Sequence, residues 1–163
     1  MPTQELPHTP NCLVCGRSNP HGLHLSLHVD PVTGIVTTTF TPTRDHIGFE
    51  GIIHGGLLAT VLDEAMVWAA TWAGKRFCVC AEMAVKFVSP AAIGQPLIIT
   101  ARVEVNRSRL LTASGQITLA GSTLIATATA KYVPLPQPRN QAFLVTLVND
   151  PATAQTAAAL RNP

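Results

Sequence analysis

The sequence predicts an α+β domain in which an antiparallel sheet of about six strands curls round one long helix. Three observations carry this. The apolar residues recur every second position in two segments, then in a helical run, then every second position in four more segments. The helical run, residues 57–73, is apolar or small on every side and should therefore be buried on every side. Finally, the 163-residue chain is 47% hydrophobic and only 12% charged, which excludes a disordered chain and suggests that a second copy covers part of the surface.

Each element follows in order. Residues 1–22 are irregular and carry Pro2, Pro7, Pro10 and Pro20, so they form a leader containing Cys12-x-x-Cys15. Leu23, Leu25, Leu27 and Val29 alternate with His24, Ser26 and His28, which predicts a half-buried strand with both histidines at the surface. The turn at residues 30–34 joins it to a β-branched strand over residues 35–41. Residues 42–53 form a loop leading to His54-Gly55-Gly56 and the helix, which Gly74 ends with Lys75 and Arg76 placed favourably after it.

Four strands follow the helix. Their inward faces are Val79, Ala81, Met83, Val85 and Phe87; Leu97, Ile99, Ala101, Val103 and Val105; Leu111, Ala113, Gly115, Ile117 and Leu119; and Leu124, Ala126, Ala128, Ala130 and Tyr132. The turns between them fall at residues 89–90, 106–109 and 121–122. Pro134, Pro136 and Pro138 close the domain at residue 134. Residues 135–163 make a Pro-rich linker and a tail in which 141–148 and 152–160 are candidate short helices, expected to dock on the sheet or on another subunit.

Charge and composition narrow the function classes. With 11 basic and 9 acidic residues and no basic run, nothing points to nucleic acid. The N-terminus has no signal-peptide pattern, and Asp63 and Glu64 interrupt the longest apolar stretch, so no membrane association is expected. Four cysteines are too few for a disulfide scaffold, and a reducing cytoplasm is the expected compartment. Cys12 and Cys15 supply two of the four ligands a structural zinc site usually needs, so no metal and no cofactor is expected. A small hydrophobic knot is the plainer account of that pair.

The chemistry concentrates on the helix. Its N-terminus offers unpaired backbone N–H groups, and Gly55 and Gly56 allow a ligand close approach. Such groups stabilise the oxyanion formed when a carbonyl is attacked, with His54 as an added donor or a fixed turn. A carboxylate within an apolar helix is costly unless paired or functional, and burial would raise its pKa toward that of a general base. Gly55 and Asp63 are eight residues apart, roughly 12 Å along a helix. They can serve one carbonyl only if two helices lie antiparallel across a two-fold axis, which predicts two sites per dimer.

The stretch GFEGIIHGGLLATVLDEAM, residues 48–66, resembles the "G…HGG…DE" signature of the hotdog-fold acyl-CoA thioesterases of the phenylacetate (PaaI-like) type. Residues 81–97 and the leader motif at 12–25 are similar to the flanking parts of that group. The resemblance implies a hotdog fold, a homodimer or homotetramer, and hydrolysis of an acyl-CoA to acid and free CoA. It implies Asp63 as general base or nucleophile, Gly55 as the oxyanion N–H, and His54 as an assisting group. Gly56, Glu64, Cys80 and Phe49 are candidate substrate contacts, and Arg107, Arg109 and Lys86 candidate partners for the CoA phosphates. Of the two acids, Asp63 fits the motif and Glu64 is given a packing or ion-pair role, since one helical step turns it by about 100°. Trp68, Trp72 and Phe87 are candidate acyl-pocket residues. Two departures stand out: Cys80 lies where many members carry Thr or Ser, and the loop before His54 has no amide, leaving Glu50 or His46 as substitutes. Alternatives are an acyl-thioester hydratase or dehydratase on the same fold and a non-catalytic acyl-CoA sensor.

Overall fold

The computed structural model describes residues 2–120 and 123–162; the turn expected at 121–122 lies outside them. Seven strands form one antiparallel sheet: β1 (Gln4–Glu5), β2 (His28–Val29), β3 (Val36–Phe40), β6 (Cys78–Phe87), β7 (Leu97–Arg107), β8 (Leu110–Leu119) and β9 (Leu124–Pro134). Their order is β1-β2-β3-β7-β8-β9-β6. A separate pair, β4 (Ile47–Phe49) and β5 (Ile52–Ile53), precedes the helix α1 (Gly55–Gly74). α1 packs on β3, β6, β7, β8 and β9, so the sheet wraps it in the hotdog arrangement.

Small residues let the helix approach. Ala113, Gly115, Ala126, Ala128 and Ala130 form the face beneath α1. A Cβ on Gly115 would sit 3.1 Å from both Leu62 and Met66, so a larger residue there would push the helix outward. Val61, Leu62, Ala65, Met66, Ala69 and Ala70 are wholly buried, and Gly56 is the one exposed residue of α1. The helix ends at Gly74 as expected, and the left-handed residue after it is Lys75, at φ 52°, with its ammonium 3.5 Å from the centre of the Trp72 ring. It is not long and apolar enough to cross a membrane, and neither is any other described helix.

Two strands differ from expectation. Of the segment 23–29, only His28–Val29 joins the sheet. His24 turns into the left-handed region, and the N–H groups of Leu23 and Leu25 donate to Leu13 and Val14 of the leader. The alternation survives, with Leu25 and Leu27 buried and His24 exposed, while His28 is half-buried rather than at the surface. In β6 a bulge between Cys80 and Glu82 shifts the side-chain phase by one. Cys80 therefore lies opposite the buried Tyr132, and Val79 and Ala81 are exposed instead of facing in. Past the bulge, Met83 and Val85 return to the inner face as expected, opposite Ala130 and Ala128, while Phe87, opposite Ala126, is exposed rather than facing in.

The tail folds onto its own chain. It contains α2 (Gln137–Leu144) and α3 (Ala154–Arg161), with Leu144, Leu147, Ala157 and Leu160 buried. Asn140 accepts from the Phe77 N–H, Thr156 donates to the Glu5 carbonyl, and Arg17 of the leader bridges Glu5 and Asp150.

Candidate active site

The site begins at the N-terminus of α1. His54 is the N-cap, in extended conformation, and its ring Nδ1 accepts the Gly56 N–H at 2.8 Å. Because Nδ1 accepts, the proton of the neutral ring sits on Nε2, which is left as a donor. The His54 N–H donates to the His46 carbonyl, which ties the cap to the preceding loop. Gly48 passes close behind it: a Cβ there would lie 2.8 Å from His54 Cα. Gly55 lies under the Phe87 ring, whose atoms are 3.5 Å from where its Cβ would be. With the Gly56 N–H engaged by His54, the Gly55 N–H is left without an acceptor among the described residues.

Two turns along, Asp63 is half-buried, and the Tyr132 hydroxyl donates to its Oδ1 at 2.8 Å. Tyr132 is fully buried on β9, opposite Cys80 of β6. Burial first, and the Asp63 carboxylate second, hold the tyrosine well above its usual range, so its O–H stays a donor. Burial and the same carboxylate also push the Cys80 thiol up. Tyr132 was read from the sequence only as an inward strand residue. Its one signal was being the single tyrosine of the chain, set in a strand face otherwise made of alanine and leucine.

Glu64 is turned away from this group, toward the leader. Trp68 Nε1 donates to its Oε1 at 3.0 Å, and the Cys12 thiol lies 3.7 Å from the same oxygen. Burial pushes the Glu64 carboxyl up to about 7. Trp68 and Trp72 are buried core residues. Phe49 is 83% exposed. His46 folds back on Thr43, whose N–H its ring accepts, and packs edge-on against Phe40, while Glu50 is exposed. Arg107 and Arg109 are exposed at the β7–β8 turn. Asn106 of that turn donates to the Ala73 carbonyl, so both arginines stand at the C-terminal end of α1, away from His54 and Gly55 in the same chain. Lys86 is exposed on β6.

The profile of the thioesterase superfamily matches residues 50–126, from the loop before His54 into β9. No curated protein matches the chain. Among solved structures, a thioesterase superfamily protein aligns with TM-score 0.71 and 25% identity over 76% of this chain, which spans 60% of that protein's length. The Escherichia coli PaaI protein, from the phenylacetic acid degradation operon, aligns at 0.64 and 21% over 70% of this chain and 81% of its own. A Streptococcus mutans protein bound to acetyl CoA aligns at 0.60 and 18%, over 63% and 82%. The matched segment carries both His54 and Asp63 on the helix the sheet enfolds, so over that segment the chain is similar to the thioesterase superfamily, and its fold is a hotdog fold similar to that of the PaaI-type proteins.

Proposed function

We propose that the protein hydrolyses an acyl-CoA thioester to the free acid and CoA. The observation that carries this is Asp63: a half-buried carboxylate with one oxygen held by Tyr132 and the other without a hydrogen bond among the described residues, on the helix whose N-terminus offers the Gly55 N–H. The similarity of residues 50–126 to the thioesterase superfamily supports the reaction class. The acetyl CoA held by a structural neighbour supports the thiol component.

In this scheme Asp63 takes a proton from water as the water oxygen attacks the thioester carbon. The carbonyl oxygen becomes an oxyanion, stabilised by the Gly55 N–H and by His54 Nε2–H. Collapse of the tetrahedral intermediate breaks the C–S bond, and the departing thiolate takes up a proton. The two halves come from different protomers, because roughly 12 Å of helix separates Gly55 from Asp63 in one chain. The apolar side chains of Val79, Phe87 and Val88, exposed along β6 and the residue after it, support a second copy packed at that edge. With two α1 helices antiparallel, Arg107 and Arg109 of one protomer approach the helix start of the other, where they serve the CoA phosphates. Cys80 and Phe87 line the reacting centre beside Asp63 and Gly55.

Thiol release from short, long and aromatic acyl-CoAs, compared between wild type and Asp63→Asn, tests the proposal. Turnover that falls about a hundredfold in the variant, equal to about 3 kcal/mol of barrier, is expected. Hydration of an enoyl-CoA without thiol release would replace the proposal with a hydratase. Tight binding of every acyl-CoA without turnover would replace it with a sensor.

A further inference from the structure

The leader and the central helix bring together three side chains that hydrolysis does not use. Sγ of Cys12, Sγ of Cys15 and a carboxylate oxygen of Glu64 all lie within 4.8 Å of one another. We propose that Cys12, Cys15 and Glu64 bind one thiophilic divalent cation, zinc in the first instance, and that the ion clips the leader to α1 beside Asp63. This departs from the expectation of no metal. That expectation counted two ligands in the Cys-x-x-Cys spacing, and the third comes from a residue 52 positions away.

The geometry suits the ion. Ligands at about 2.3 Å for sulfur and about 2.1 Å for oxygen on a tetrahedral ion lie about 3.6 Å apart. Cys12 Sγ is 3.7 Å from Glu64 Oε1 and 3.9 Å from Oε2. Little movement is needed to close the three onto a metal. The turn is also shaped to hold a thiolate. The Val14 N–H points at Cys12 Sγ at 3.4 Å. Gly16 closes the turn by donating its N–H to the Cys12 carbonyl at 3.1 Å. A Cβ at Gly16 would sit 2.4 Å from Cys12 N and 2.5 Å from Cys12 O, so only glycine fits.

The chemistry of the donor set selects the ion. Two thiolates and one carboxylate favour zinc-type ions over magnesium or calcium, which take oxygen ligands. Without a metal, the group is an uneasy neighbour set. Cys15 is buried, and Trp68 Nε1 is the sole nitrogen donor to Glu64 among the described residues. A divalent cation displaces the two thiol protons, which go to solvent, and water fills the fourth position. Neither His8 nor His21 joins the cluster.

The test uses the untagged full chain, reduced, exposed to zinc and dialysed. Elemental analysis is expected to find one zinc per chain. Cobalt added to the metal-free protein is expected to give thiolate-to-metal charge-transfer absorption, and magnesium and calcium no binding. Cys15→Ser should abolish the cobalt band, and Glu64→Gln should weaken zinc at least about tenfold in a chelator competition. No zinc and no cobalt band in folded, reduced wild type would overturn the site. So would a Glu64→Gln variant that binds as tightly as wild type. A Cys12–Cys15 disulfide in protein isolated from zinc-replete cells without added oxidant would also overturn it. If Cys15→Ser does not fold, the wild-type cobalt titration decides alone.

Discussion

The Tyr132 hydroxyl donates to Asp63 Oδ1 at 2.8 Å and also reaches the Asp63 backbone carbonyl at 3.3 Å. One buried phenol on β9 thus fixes both the carboxylate and its turn of α1. Fixing one carboxylate oxygen leaves the other aimed, which is what a base acting on a single water requires. In the proposed hydrolysis Tyr132 is therefore a positioning residue.

Tyr132→Phe removes this contact without opening a cavity. A hydrogen bond to a charged group contributes about 1.5–3 kcal/mol, so a loss of that order is expected in urea unfolding. The kcat for thiol release should fall about tenfold, with KM nearly unchanged, because the tyrosine is fully buried and acts through Asp63. An unchanged kcat would remove Tyr132 from the mechanism.

Gly55→Pro isolates the oxyanion donor. Gly55 is the first residue of α1, where proline's fixed φ suits the helix and its missing N–H breaks no intrahelical bond. The preceding His54, at φ −64° and ψ 127°, already has the backbone that a following proline demands. The melting temperature should therefore hardly move, while kcat falls about a hundredfold or more through loss of the N–H. Retained turnover in a folded variant would place the oxyanion elsewhere.

Much of this was legible in the sequence, for a local reason. Periodicity and capping residues report on neighbours a few positions away, so α1, its end at Gly74 and the inward faces of β8 and β9 were all readable. That Asp63 and Glu64 point apart also follows from helical rotation alone. The bulge at Cys80/Glu82 was not legible, because an alternating pattern gives no sign of one inserted residue. The departure of residues 23–27 from the sheet depends on the carbonyls of Leu13 and Val14, and periodicity does not encode its partner. The same holds for Tyr132 with Asp63, 69 residues apart, and for Cys12 with Glu64, 52 apart.

Glu64 should make stability depend on pH in the metal-free protein. Its carboxyl is raised from 4.5 to about 7, chiefly by burial. Between those values the folded state holds a proton that the unfolded state has released. The slope of unfolding free energy with pH from this group is therefore negative. Its contribution is fully present below pH 4.5 and is lost as pH rises through 7, up to about 3 kcal/mol. The lowered Cys12 thiol acts in the opposite sense, so the diagnostic quantity is a difference between proteins. With chelator present, Glu64→Gln should gain on wild type between pH 5 and pH 8, because its amide carries no such proton. Parallel pH profiles for the two proteins would refute this.

The shared-site arrangement makes a quantitative prediction about mixed dimers. Gly55→Pro disables the oxyanion side, and Asp63→Asn disables the base. Each homodimer then has two dead sites. If every site takes Gly55 from one protomer and Asp63 from the other, a heterodimer has one site with both lesions and one with neither. Random assortment makes about half of the dimers heterodimers, so the co-expressed mixture should recover about a quarter of wild-type turnover. If each site drew both groups from the same chain, every site in every dimer would carry one lesion, and the mixture would stay as inactive as its parents. Recovery needs subunits assembled together, so mixing the two purified variants should restore turnover only as fast as dimers exchange protomers. Thiol release followed over time after mixing therefore separates a shared site from a self-contained one.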